Sequence, residues 1–285
     1  MSKLKAHLEN IALSHSVFAL PFAYMGGFLA AGGLPTIHDL LWITLAMIGA
    51  RSAALALNNL IDLKYDRLHP RFTQRPMVTG KVKQWEAVGL IVGSLLLFLL
   101  AAAQLQPLCL KLWPLALVPL VIYPYMKRFS WTCHLVLGLA LAVAPVGSWV
   151  AVRGDISLVA VTLGLSVGIW IAAFDVIYGC QDVAFDKAHG LNSMPVRFGV
   201  DGALRIARVM HTFSILGFIL VGVIVGLPTI YYLGVIIAAT VLIYQHLIVS
   251  PTDLSQVTQR YFMRNGLVGV VLFFTTVIAL MKSNY

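Results

Sequence analysis

Residues 39–66 read DLLWITLAMIGARSAALALNNLIDLKYD. Between Leu40 and Leu57 the single charged side chain is Arg51, and small or apolar residues fill most of the rest. A helix needs roughly 20 such residues to cross the hydrocarbon core of a bilayer, so the run reads as one spanning helix. Its end is of another kind. Asn58, Asp62 and Asp66 follow at intervals of four, where an ionised carboxylate at membrane depth costs roughly 2.5–3.5 kcal/mol even on the lenient insertion scale. The same transition recurs downstream, where an apolar run leads into Asp175, Asp182 and Asp186. Five of the eleven acidic residues are spent on these two places. Such crowding needs a compensating partner, and the simplest is a shared cation.

Outward from that stretch the pattern repeats. Apolar segments fall near residues 12–32, 39–58, 87–105, 107–125, 133–152, 156–175, 204–226, 228–249 and 264–281. The chain is 285 residues long, 60% hydrophobic and only 11% charged, with a mean hydropathy of +0.89, which excludes a water-soluble globule. The expected fold is all-α: a polytopic membrane protein with nine transmembrane helices in a bundle, as a single domain over 1–285. Leu105-Gln106-Pro107 and Gly226-Leu227-Pro228 read as tight hairpins. The first segment follows Lys3 and Lys5, but it is too long for a signal-peptide core and lacks a cleavage pattern, so it is expected to stay. Cys109, Cys133 and Cys180 show neither pairing nor metal-ligand spacing and read as buried apolar residues.

The loops orient the bundle. With the N-terminus in the cytoplasm, sixteen of the twenty Lys and Arg residues fall on the cytoplasmic side. Lys111, Arg153 and Lys282 fall on the other, and Arg51 lies within a helix. That asymmetry is what the positive-inside rule predicts, and it places both acidic clusters at the cytoplasmic face. The formal charge of +9 then reflects topology and attraction to anionic membrane lipid, not binding to nucleic acid.

Steps of four advance a helix by ~400°, so Asn58, Asp62 and Asp66 are expected along one helical stripe. Asp175, Asp182 and Asp186, spaced seven and four, are expected along another. Hard oxygen donors with one or two carboxylates per ion suit Mg²⁺ that completes its shell with water and substrate phosphates. The competing reading is that the acids pair with their sequence neighbours Lys64, Arg67 and Lys187 in a solvated loop. Each half of the chain repeats the device: an Asp pair, then a short basic loop, 71–76 in one half and 193–197 in the other. Repeats that meet at a pseudo-symmetric interface place the site between them, where two metal ions would be bridged by a diphosphate.

Arg71, Arg75, Lys127 and Arg128 are candidate phosphate clamps. Lys127 and Arg128 read equally as end-of-helix cations that set topology. Arg51 would face a cavity and hold an acidic substrate group, or pair with one of the Asp side chains. His69, His134, His189, His211 and His246 lack a ligand spacing and read as structural or surface residues.

The pattern Asn58-x-x-x-Asp62-x-x-x-Asp66, the Arg75-Pro76-Met77-Val78-Thr79-Gly80 loop, the Tyr123-x-x-x-Lys127-Arg128 segment and the Asp182-x-x-x-Asp186 pair resemble the UbiA superfamily of intramembrane aromatic prenyltransferases. The resemblance covers essentially the whole chain. It implies Mg²⁺, a polyprenyl diphosphate donor and an aromatic acid acceptor in a central cavity opening toward lipid. It also implies that Asn58, Asp62 and Asp66 hold one Mg²⁺ and that Asp182 and Asp186 hold the other. Arg75, Tyr123, Lys127 and Arg128 would contact the diphosphate, with Asp175 also among the substrate-binding residues. Many relatives carry Asp where this chain has Asn59, which leaves the first metal less compensated. The segments Phe174–Asp182 and Gly190–Gly199 are similar to the 4-hydroxybenzoate polyprenyltransferase branch, some of whose members use a dihydroxynaphthoate in menaquinone biosynthesis instead of serving ubiquinone biosynthesis. The implied location is the bacterial cytoplasmic (inner) membrane, with the site facing the cytoplasm.

The chemistry expected is prenyl transfer to carbon. Metal ions and the basic collar weaken the allylic C–O bond, a ring carbon ortho to a hydroxyl attacks, and a proton leaves. Apolar walls exclude water from the cationic prenyl group. Arg51 is the candidate partner of the acceptor carboxylate. Phe18, Phe22, Trp149 and Trp170 are candidate tail-lining residues that the sequence does not separate from lipid-facing ones. The rival is a cation-coupled transporter built on paired Asp residues; against it stand acids at one membrane face and the cations gathered beside them.

Overall fold

The computed structural model describes residues 3–11 and 20–283, and the regular elements among them are all helices. In chain order they are α1 (Lys3–Asn10), α2 (Leu20–Ala31), α3 (Ile37–Ile61), α4 (Leu63–Asp66), α5 (Gln84–Ala103), α6 (Pro107–Met126), α7 (Cys133–Arg153) and α8 (Leu158–Gly179). After these come α9 (Val183–Ala188), α10 (Met194–Val225), α11 (Thr229–Leu247) and α12 (Gln259–Ser283). Eight segments are long and apolar enough to cross a membrane: α3, α5, α6, α7, α8 with α9, α10, α11 and most of α12. They match eight of the nine expected spans. Of the remaining one, residues 12–19 lie outside the described residues, and the rest forms the shorter apolar α2.

Local chemistry sets where these helices start and stop. Thr36 Oγ1 accepts the Asp39 N–H at 3.0 Å and caps α3, and Ser157 Oγ does the same for α8 through Ala160 N–H at 3.2 Å. Pro107 occupies the first position of α6, where its missing N–H costs nothing. Gly226 closes α10 at φ +74°, a left-handed conformation that favours glycine, and Leu227 N–H reaches back to Gly222 O at 2.9 Å. Both expected hairpins are therefore present. One expected loop is not. Residues 193–197 open α10: Ser193 Oγ accepts from Val196 N–H at 3.3 Å, Pro195 suits the first turn, and the helix kinks afterwards at Gly199.

Lipid tails are as apolar as leucine, so helix association in a membrane rests on close packing rather than on the hydrophobic effect. The C-terminal half, together with α2, packs densely. Here α8 lies between α7 and α10, and α2 joins α7 to α12, which pairs with α11. Phe22, Trp149, Trp170, Phe218, Tyr231 and Leu272 fill the space between them. This corrects the expectation for the aromatic residues: Phe22, Trp149 and Trp170 are core, and Phe18 lies outside the described residues.

The N-terminal half is hollow. α3, α5, α6, α7 and the start of α8 surround a cavity of about 750 Å³ walled by Ala, Leu, Val and Ile. α7 is the partition. Its backbone meets that of α8 where a Cβ on Gly138 would stand 2.3 Å from Gly168 O, a separation that only glycine permits. Several cavity-lining residues, Leu115, Leu139 and Leu165 among them, are themselves exposed, so the wall opens sideways, where lipid would lie.

Candidate active site

Both acidic clusters begin where a long helix breaks. α3 ends at Ile61, and Asp62 turns the chain into α4 with φ −88° and ψ 0°. α8 passes into a 3₁₀ turn over Cys180–Asp182, and Asp182 leads into α9 with φ −101° and ψ 1°. These are nearly the same conformation, in a sparsely populated region that active-site residues often occupy. The expected continuous stripes are thereby corrected. Aspartate is a poor helix-interior residue because its side chain competes for backbone hydrogen bonds, and the spacing of four spans a break in both halves. Beyond each break the second acid is buried: Asp66 is 5% exposed and Asp186 1%.

Each of the four acids meets a different cation. Arg128 Nη2 donates to Asp62 at 3.0 Å, Arg75 Nη1 to Asp66 at 2.5 Å, Arg71 Nη1 to Asp182 at 2.6 Å, and Lys127 Nζ to Asp186 at 3.2 Å. None of these partners is a sequence neighbour of its acid. Lys64, Arg67 and Lys187, the partners that the solvated-loop reading requires, are exposed and bridge none of the four acids. Arg71 and Lys127 reach from the first half of the chain to the acids of the second, so the two clusters face one mouth.

The collar is itself held. Arg75 stacks 3.8 Å from the Phe72 ring centre and donates to Asn59 Oδ1 at 3.4 Å. Arg128 Nη1 and Nη2 donate to Pro124 O and Ile61 O, each at 3.0 Å. Pro124 is one of three prolines inside α6. Asn59, the departure from the usual aspartate, donates its amide N–H to Asn10 O at 2.6 Å, a bond that a carboxylate could not make. Asn58 sits half-buried one turn before Asp62 and, among the described residues, gives it only a backbone bond at 2.9 Å.

Electrostatics follow from burial. Asp62 is pushed up to about 6 by desolvation, against the attraction of Arg128, with the Asp66 charge adding to the rise. Burial also raises Asp66, opposed by Arg75. For Lys127 burial favours the neutral amine, but Asp186, Asp175 and Asp182 together hold it above its ordinary value.

Two histidines that sequence reasoning left as structural or surface residues lie against acids of the second cluster. His69 is buried between Phe72 and Phe185 at 4.4 and 4.2 Å between ring centres, with Nε2 3.2 Å from Asp182 Oδ1. Its Nδ1 accepts the Arg71 N–H at 3.2 Å, which leaves the proton on Nε2. His134 places Nδ1 2.7 Å from Asp175 Oδ2. No regular spacing links either histidine to its aspartate, so no sequence signal was there to find.

One to two turns deeper lies the cavity. Arg51 on α3 and Tyr123 on α6 are in its wall, and Arg51 is the one charged residue among those lining it. Among the described residues no three His, Cys, Asp or Glu side chains form a ready cage for a metal ion. The donor set nevertheless fits Mg²⁺, which needs only one or two carboxylates when phosphates and water complete the shell. Nothing in this geometry supports the transport alternative: the acids sit at helix ends with cations bound, above a wall that is otherwise apolar.

Comparison with known proteins agrees with the architecture. The model of the UbiA prenyltransferase family matches residues 19–267. A 4-hydroxybenzoate octaprenyltransferase from Photobacterium profundum is 29% identical over 254 residues, 89% of this chain and 88% of that protein. The apo structure of a UbiA homologue from Aeropyrum pernix superposes with a TM-score of 0.84 at 34% identity, covering 93% of this chain and 98% of that one. A UbiA homologue from Archaeoglobus fulgidus bound to DMAPP and Mg²⁺ shares the fold, with a TM-score of 0.71 at 21% identity over 95% of this chain and 99% of that one. By the match of its sequence along most of its length, the chain is an integral membrane enzyme that belongs to the UbiA prenyltransferase family.

Proposed function

We propose that this protein transfers a polyprenyl group from a polyprenyl diphosphate to a ring carbon of an aromatic acid, 4-hydroxybenzoate or a dihydroxynaphthoate, with Mg²⁺ as cofactor, in ubiquinone or menaquinone biosynthesis. One observation carries the reading: a mouth of four acids, each matched by a cation, sits above an apolar cavity whose charged wall residue is Arg51. An amphipathic diphosphate needs both compartments. The names of the bacterial relatives supply the acceptor class. The Archaeoglobus homologue, bound to an allylic diphosphate and Mg²⁺, supplies the donor and the metal.

In this reading Asn58, Asp62 and Asp66 hold one ion, and Asp182 and Asp186 the other. When bound, Mg²⁺ would supply Lewis acidity that draws electrons from the allylic C–O bond. The protein's own part is positional and electrostatic. Arg71, Arg75, Lys127 and Arg128 turn from carboxylate to phosphate oxygens and neutralise the leaving group. His69, packed between Phe72 and Phe185, keeps a ring nitrogen beside Asp182 when Arg71 moves. Arg51, with Tyr123 beside it, binds the acceptor carboxylate inside the cavity. The alanine- and leucine-rich walls keep water from the prenyl cation, and the lateral opening lets the tail run into lipid.

The same reading makes 1–285 one domain with nine spans and a cytoplasmic N-terminus in the bacterial inner membrane, its mouth at the cytoplasmic face. The test is purified protein in detergent with Mg²⁺, geranyl or longer prenyl diphosphates, and either 4-hydroxybenzoate or the two dihydroxynaphthoate isomers. A C-prenylated acid and released diphosphate are expected with one acceptor class. No product with any of them would overturn the assignment.

A further inference from the structure

In the reading above, the pair formed by His134 and Asp175 is given no part in holding the metal, the diphosphate or the acceptor carboxylate. His134 begins α7 and is fully buried. The side chain of Asp175, in the penultimate turn of α8, is about a third exposed, 35% by area. Their contact is a consequence of the backbone. The Gly138/Gly168 approach draws α7 onto α8, and Gly179 leaves room for the imidazole, whose Cε1 would lie 3.1 Å from a Cβ at that position. In the result Nδ1 faces Asp175 Oδ2 at 2.7 Å.

The two ends of this pair differ. His134 Nε2 is buried with no hydrogen-bond partner among the described residues. A tautomer protonated only on Nε2 would turn a bare Nδ1 lone pair toward a carboxylate oxygen and bury an unpartnered Nε2–H. Nδ1–H therefore donates to Asp175. Asp175 Oδ2 is fixed, and Oδ1 accepts no hydrogen bond from the described residues. That free oxygen belongs to a carboxylate within electrostatic reach of both Tyr123, in the cavity wall, and Lys127, in the collar. Tyr123 is in turn within reach of Arg51. Asp175 thus lies within reach of both a residue of the cavity wall and a cation of the collar.

Resting on the prenyl-transfer reading, we propose that Asp175 is the base that takes the proton displaced from the acceptor ring, and that His134 is the positioning residue that orients it. The balance is simple. The prenyl C1–O bond breaks with its electrons to the diphosphate, and a ring π pair forms the new C–C bond to C1. The ring C–H bond then breaks, its electrons restore aromaticity, and the proton passes to Asp175 Oδ1 while Nδ1–H of His134 stays on Oδ2.

The variants are Asp175→Asn, His134→Phe and His134→Asn, the last placing an amide N–H near the position of Nδ1. Each is assayed in full-length detergent-solubilised enzyme with Mg²⁺, geranyl diphosphate and 4-hydroxybenzoate or dihydroxynaphthoate, whichever the unaltered enzyme prenylates, with and without ring deuterium. Asp175→Asn and His134→Phe should lower kcat by ~10²-fold. They should also bring in a primary deuterium isotope effect absent from the unaltered enzyme, because ring-proton loss becomes slow. Binding of the non-cleavable geranyl S-thiolodiphosphate with Mg²⁺, measured by calorimetry, should be unchanged and also reports folding. His134→Asn should restore most of the turnover. Lower turnover without the isotope effect, loss of analogue binding in both His134→Phe and Asp175→Asn, or unaltered turnover would overturn the proposal. Absence of any prenylated acid from the unaltered enzyme would be a different failure, that of the function reading itself, and would remove this inference with it.

Discussion

At the residue scale, the four paired acids behave as one electrostatic unit. Asp62→Asn, Asp66→Asn, Asp182→Asn and Asp186→Asn keep size and hydrogen-bonding capacity but each remove one negative charge. We expect transfer to fall ~10²-fold or more, a barrier rise of ~2.7 kcal/mol. Pairs drawn from both clusters should be strongly non-additive, because groups that act together fail together. Asp201 pairs with Arg205 on the surface, and Asp253 turns an exposed loop through Ser255 N–H. Asn at either position should be nearly silent in a Mg²⁺ titration of product formation. Near-normal turnover by folded Asp62→Asn at limiting Mg²⁺ would sink the two-ion arrangement. Acidity supplies an independent check. Burial raises Asp62 to about 6 and raises Asp66 as well, so these carboxyls take up protons in a range where an exposed aspartate stays charged. A divalent cation must displace those protons. Its apparent affinity should be highest above pH 6 and weaken as pH falls through 6. Thermal stabilisation by Mg²⁺ at a series of pH values measures this, and a shift independent of pH would refute it.

At the scale of elements, α6 and the α7–α8 contact do most of the positioning. α6 carries Tyr123 in the cavity wall and ends in Lys127 and Arg128, so one helix joins the two compartments. Lys111, near its other end, cannot share that duty. Lys127→Ala and Arg75→Ala should weaken donor binding or turnover far more than Lys111→Ala or Lys282→Ala, as read from KM and kcat for the prenyl diphosphate. Equal losses from all four would show that general charge is being measured. The α7–α8 contact admits no side chain: Gly138→Val would drive a Cβ into the Gly168 carbonyl. Overpacking of this kind costs about 1–3 kcal/mol, and the thermal midpoint in detergent should drop accordingly. Val at Gly147, where no atom lies within 4 Å of a Cβ, is the neutral comparison.

At the scale of the whole molecule, the two ends of the bundle are chemically distinct. The breaks at Asp62 and Asp182, the loop bearing Arg71 and Arg75, and the end of α6 share one end. At the other, the turn after α7 meets the turn after α5, with Gln106 against Gly154. Single cysteines at Thr73 and Gln104, introduced after removal of Cys109, Cys133 and Cys180, should react with an impermeant maleimide from opposite sides of the membrane, Thr73 from the cytoplasm. Labelling of both from one side would invalidate the shared mouth.

Much of this was legible in the residues themselves, because solvation in a bilayer leaves so few options. Uncharged runs of about 20 residues admit only helices there, so eight spans, both hairpins and the placing of acids at helix ends follow from composition and spacing alone. The repeated Asp pairs and the nearby cations marked the mouth for the same reason: charge at that depth must be matched. Which cation meets which acid was beyond the sequence, since Arg71 and Asp182 lie 111 positions apart and touch only because two halves close on each other. The helix breaks at Asp62 and Asp182, the sorting of Phe22, Trp149 and Trp170 into the core, and the joining of His69 and His134 to aspartates were likewise decided by packing. Apolar periodicity cannot tell a neighbouring helix from lipid, for the two present the same chemistry. Only the meeting of backbones, as at Gly138 and Gly168, separates a wall from a surface.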